Sequence, residues 1–266
     1  MTIGSLNESP LHRALKDWYA GAGSRAEVPL AGFVADLVQA DAGLVEIQTS
    51  GFGRLRRKLE ALLPAHKVVL VYPVPVNRFL YRLPAAAPTP AGAASSAATG
   101  AVIDGLIDAA GDRPLVPRRS PRHGAVVDVL HELVSLPDLL AHPNFQLEVA
   151  LVDVDEFRVP VVRRGRDGWR TVERRLRTVH GQVRFADPDA LFGLVSGPLP
   201  ECFSTADLAR AMGASRTHAQ KLAFCLRANQ RITLAGKQGN ARVYRRVVGQ
   251  EGNIVASGLK CADFPA

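Results

Sequence analysis

Asp36 and Glu46 are the residues of this chain best suited by type and spacing to do chemistry. Each interrupts an otherwise apolar extended segment, Asp36 in FVADLV (33–38) and Glu46 in LVEIQ (44–48), with a turn at Gly43 between them. That separation is the length of a short hairpin, so both carboxylates fall at the ends of neighbouring strands. A charge inside an apolar strand is costly unless it is paired or bound to metal. Hard cations such as Mg²⁺ take oxygen ligands, usually one or two carboxylates completed by water and substrate phosphate. Metal-assisted phosphodiester cleavage needs such a clamp, with a positive charge nearby.

The elements that position these acids are legible around them. Residues 10–20 form an amphipathic helix with Leu11, Leu15 and Trp18 on one face, stopped by Gly21–Gly23. Residues 27–38 are extended, with a bend or edge at Pro29 and Gly32. Residues 53–63 form a helix: Leu55, Leu59, Leu62 and Leu63 line one face, and Arg54, Arg56, Arg57 and Lys58 cover the rest. The apolar run Lys67–Tyr72 is a strand covered on both faces. Strand–helix–strand units of this kind belong to α/β sheets.

This segment resembles the core of the PD-(D/E)xK nuclease superfamily, in which an Asp is followed, after a hairpin, by Asp/Glu-x-Lys. The resemblance covers roughly residues 10–82. It implies a mixed-sheet, restriction-endonuclease-like α/β domain in which Asp36 and Glu46 bind Mg²⁺ or Mn²⁺ and Ile47 lends a backbone carbonyl. Gln48 stands where that family has Lys. A neutral amide can orient water but cannot offset charge. Members with a displaced lysine take it from the following helix, which makes Lys58 the counterpart here. Asp17 or Glu27 would supply the further acid that many members carry. The whole chain also resembles a prokaryotic family of unassigned activity that shares the EIQT segment and the C-terminal module.

Beyond the core (1–83) come a low-complexity Ala/Pro/Ser/Gly insertion (84–116) and a middle region (117–198), either an extension of the sheet or a small module. In the middle region, 126–140 reads as helix up to Pro137 and 146–154 as strand. The arginine-rich 158–180 reads as a turn with a helical tail. Residues 199–248 change character. Ser204 and Asp207 open a short helix, Ser215 caps a second, and two strands follow around a Gly236–Gly239 tip. That order is an α+β winged helix-turn-helix. Its second helix would present Arg216, Thr217, His218, Gln220 and Lys221 to a DNA groove, and Lys237 and Arg242 would contact backbone from the wing. Residues 249–266 form a tail.

A formal net charge of +8 favours a polyanionic partner, here DNA. Cys202, Cys225 and Cys261 lack metal or disulfide spacing and read as thiols in a reducing cytoplasm. No apolar run is long enough for a membrane span, and the start lacks signal-peptide order. Phosphate-loop, dinucleotide and serine-hydrolase motifs are absent from the sequence. His131 and His142 read as ordinary surface or core groups. The expected activity is Mg²⁺-dependent DNA cleavage. The alternatives are a DNA-binding regulator whose nuclease-like domain is inert, or a protein–protein module.

Overall fold

The computed structural model describes residues 8–40, 43–84, 115–163 and 166–247. Helix α1 (Pro10–Tyr19) is capped by Ser9, whose side chain accepts from the His12 amide. Strands β1 (Arg25–Leu30), β2 (Phe33–Gln39) and β3 (Gly43–Ile47) then form an antiparallel meander. Ala31 and Gly32 join β1 to β2 with φ of 48° and 79°. Two left-handed residues match the twist of a tight hairpin, so the extended run read over 27–38 is two strands.

After β3 the chain takes one 3-10 turn (Phe52–Leu55), enters α2 (Arg56–Leu62) and returns as β4 (Val68–Arg82), parallel to β3. A parallel return requires a crossover, and α2 supplies it. Leu59 and Leu62 are fully buried, each contributing roughly 1.5–3 kcal/mol. The start of this crossover has no side-chain cap of its own. Glu132 supplies one from a distance, its Oε2 accepting from the Gly51 and Phe52 amides at 2.7 and 3.2 Å.

The chain continues through β5 (Arg118–Arg119), a 3-10 turn (Val126–Val129), α3 (Leu130–Leu133) and another 3-10 turn (Leu139–Ala141). The helix read over 126–140 is thus broken into short pieces. Strands β6 (Phe145–Arg163) and β7 (Arg166–Phe185) follow. The main sheet runs β1-β2-β3-β4-β6-β7, with β5 on β4, so the middle region adds strands to the same sheet. The helical tail expected within 158–180 is instead β7. Its partners advance as β6 recedes: Thr171 bonds Glu156, Arg177 bonds Asp155, and His180 pairs with Asp153. Cross-strand pairing of this kind overrides a local helical spacing of apolar residues. The insertion residues 85–114, Cys261 and the tail 249–266 lie outside the described residues.

Two compact units divide the chain. One comprises Met1–Ala20, Pro73–Ala125 and Ala150–Gly181; in it Tyr81 stacks on Phe157 at 4.7 Å between ring centroids. The other comprises Gly21–Tyr72, Val126–Val149 and Gln182–Ala266. It contains the β1–β3 meander, α2, α3 and a smaller antiparallel sheet, β8-β10-β9. That sheet's strands are β8 (Cys202–Ser204), β9 (Ile232–Gln238) and β10 (Ala241–Arg246). Helices α4 (Thr205–Met212) and α5 (Arg216–Ala228) lie between β8 and β9 in the chain. Ser204 and Asp207 form the reciprocal capping box of α4, Gly213 ends it at φ 58°, and Ser215 caps α5. Cys225 is a buried thiol whose pKa burial pushes up to about 12, and Cys202 on β8 is half-buried, its Sγ 3.7 Å from the Arg245 guanidinium.

Gly43 opens β3 at φ 102°, and a Cβ there would collide with the Lys67 carbonyl oxygen, which accepts from the Leu44 amide. Gly43→Ala is therefore expected to lower stability by about 1–3 kcal/mol. In urea denaturation the midpoint should fall with the slope unchanged.

Candidate functional site

Strand register brings the two acids together. Leu37 pairs with Val45 and Val38 with Leu44, which sets Asp36 opposite Glu46 on one face of the sheet. Beyond Leu37 and Val45 the side chains take over the next positions of the ladder. The Ile47 amide donates to Asp36 Oδ2 at 2.8 Å, and the Asp36 amide lies 3.4 Å from Glu46 Oε1. Lys58, from α2, forms an ion pair with Glu46 Oε2.

Glu46 is 2% exposed, Asp36 half-buried, and the Lys58 side chain 14% exposed. Burial, and then the charge of Asp36, push the Glu46 carboxyl up to about 7, against the lowering effect of Lys58. Two adjacent carboxyls, one of them reluctant to ionise, are oxygen donors of the type that hard divalent cations take.

The other expected site residues divide. Gln48 continues the strand, its amide donating to the Val71 carbonyl at 2.9 Å, while its side chain donates to the Ser50 carbonyl. Ile47 is buried and pairs with Val71. Glu27 falls opposite Asp36 in the β1–β2 register, exposed and at φ 54°. Asp17 is exposed on α1, and Arg54 and Arg57 are exposed beside Lys58 in sequence.

On α5, Arg216, Thr217 and Gln220 are exposed and Lys221 is half-buried; Lys237 and Arg242 are exposed on β9 and β10. No acidic residue lies between Ser215 and Val248. His218 behaves differently from its neighbours. Its Nε2 lies 3.0 Å from His131 Nε2 and 3.2 Å from Asp128 Oδ1, so the ring turns onto the 126–133 segment. Burial, then the charges of His218 and Lys221, hold the His131 imidazole below its ordinary value. The sequence reading missed this grouping. Its one local trace is the Asp128-x-x-His131 spacing, which puts both residues on one side of a helical turn.

Among the described residues no helix is long and apolar enough to cross a membrane. A family model described as "Domain of unknown function (DUF8091)" matches residues 9–108 and 106–186. A protein of Treponema pallidum (strain Nichols), described as "Uncharacterized protein", is 34% identical over 249 residues, spanning 92% of this chain and 88% of the relative. No solved structure matches.

The Glu46 shift has a sign that can be checked. A carboxyl whose folded pKa is raised holds its proton more tightly in the folded state. Stability then falls as pH rises from the ordinary value of 4.5 toward about 7. The decline amounts to roughly 3 kcal/mol. Glu46→Gln is expected to remove most of it, read from urea midpoints across this window in metal-free buffer. Parallel wild-type and variant profiles would locate the dependence elsewhere.

Proposed function

The chain belongs to the DUF8091 family, and we propose that it is a divalent-metal-dependent DNA nuclease with a winged helix-turn-helix that holds the duplex. The observation that carries this reading is the Asp36–Glu46 pair on β2 and β3, Glu46 buried and Asp36 half-buried, met by Lys58 from the crossover helix. Its support is the order of elements: a helix, three antiparallel strands, a helix and a parallel strand. A mixed sheet with a hairpin ahead of the crossover helix is what the resemblance to PD-(D/E)xK nucleases implies.

In this reading Asp36 and Glu46 would hold the ion, with the Ile47 carbonyl as a further ligand. The bound ion would polarise the phosphoryl oxygen and make water a better nucleophile. Lys58 lies on Glu46 in the resting chain, and its ammonium is the group that would steady charge growing on the phosphate. Gln48 would orient water through its side-chain carbonyl. The α5 face of Arg216, Thr217, Gln220 and Lys221 would enter the major groove, with Lys237 and Arg242 on the backbone. Support for DNA as partner is the run without acidic residues from Ser215 to Val248 and the net charge of +8.

A second reading, DNA binding without cleavage, draws on Gln48, whose side-chain amide is engaged by Ser50. One experiment separates the two. Plasmid and short duplexes are incubated with Mg²⁺ or Mn²⁺ and wild-type chain, Asp36→Ala or Lys58→Met. Metal-dependent nicking is expected in the wild type, none above background in Asp36→Ala, and a loss of about 10²–10³-fold in Lys58→Met. Salt-dependent binding with no cleavage by the wild type would favour the second reading, and nicking that persists in Asp36→Ala would overturn the assignment of the site.

For the binding face, Lys237→Ala combined with Arg242→Ala should weaken duplex binding uniformly across sequences. The slope of log affinity against log salt should shrink by about 2.

A further inference from the structure

Away from the paired acids, Asp128, His131 and His218 each offer one ligand atom, and these atoms all lie within 4.8 Å of one another. We infer that they form a separate site for a first-row divalent metal of the Zn²⁺ class, with two imidazole nitrogens and one carboxylate oxygen as ligands. The distances carry the inference. Tetrahedral Zn²⁺ with metal–nitrogen bonds of about 2.0–2.1 Å requires ligand atoms about 3.3 Å apart. The structure has His131 Nε2 to His218 Nε2 at 3.0 Å and His218 Nε2 to Asp128 Oδ1 at 3.2 Å.

The surroundings agree with that use. Ser215 Oγ lies 2.9 Å from His218 Nδ1 and accepts from the His218 amide at 3.2 Å. An Nδ1–H donated to this hydroxyl leaves the Nε2 lone pair for a metal, the outer-sphere bond that ligating histidines commonly make. Asp128 and Glu132 bring negative charge to the ring of His131, opposing the positive charge of Lys221. Imidazole with a single carboxylate suits zinc, nickel, copper or iron rather than Mg²⁺. Three protein ligands leave one position for water. Bound metal would strap the 126–133 segment to the first turn of α5, the helix whose exposed residues are Arg216, Thr217 and Gln220.

The test uses the full untagged chain, stripped with chelator and titrated with Zn²⁺ by calorimetry, with Co²⁺ as a visible-absorption probe. One Zn²⁺ per chain at micromolar affinity or tighter is expected, with a rise in melting temperature. Binding should weaken at least about tenfold in His131→Ala, in His218→Ala and in Asp128→Asn. His131 is exposed, so His131→Ala decides the matter if another variant fails to fold. Asp36→Ala should bind Zn²⁺ as the wild type does, which keeps this site's success or failure independent of the nuclease reading. Absence of Zn²⁺ uptake by the folded wild type, or equal affinity in His131→Ala, would overturn the inference and leave a hydrogen-bonded His–His–Asp group.

Discussion

The local architecture turns on the burial of Glu46 beside Asp36 at the edge of a hydrogen-bonded ladder. Taking a carboxylate out of water is expensive, and a neighbouring charge of the same sign makes it worse. Lys58 answers part of that cost, yet the Glu46 carboxyl still stands near 7. An apolar pair at these positions would satisfy the strands better. Charged groups held at a cost to stability are concentrated at functional sites.

Several neighbouring features follow from holding those acids in place. Gly43 lets β3 begin close against the Lys67 backbone. The Ile47 amide, spare where the ladder stops, fixes Asp36. Helix α2 makes the parallel return to β4 and carries Lys58 onto Glu46 in the same stroke. Glu132 caps the start of that crossover from α3. One residue earlier, His131 meets His218 of α5. A short segment after the insertion therefore touches both the support of the acid pair and the basic helix.

Much of this was legible because it is local. Two acids spaced by a hairpin, a leucine stripe every turn of α2, and Ser caps ahead of α4 and α5 each state their geometry within a dozen residues. What escaped depends on partners far along the chain. Val172, Leu176 and Val179 repeat with helical spacing, yet β7 is extended because β6 pairs with it. The 126–140 run has the apolar content of one helix but is divided among shorter turns. His218, read from its place on α5 as a groove-facing residue, turns toward residues almost ninety positions earlier. No periodicity in α5 encodes that contact.

Anomalous diffraction from crystals of the full chain soaked in Mn²⁺ tests the central claim most directly. The account predicts a peak contacted by side-chain oxygens of both Asp36 and Glu46, with Lys58 released from Glu46, and no such peak in Asp36→Ala. A map with nothing between the two acids, and Lys58 still seated on Glu46, would contradict it.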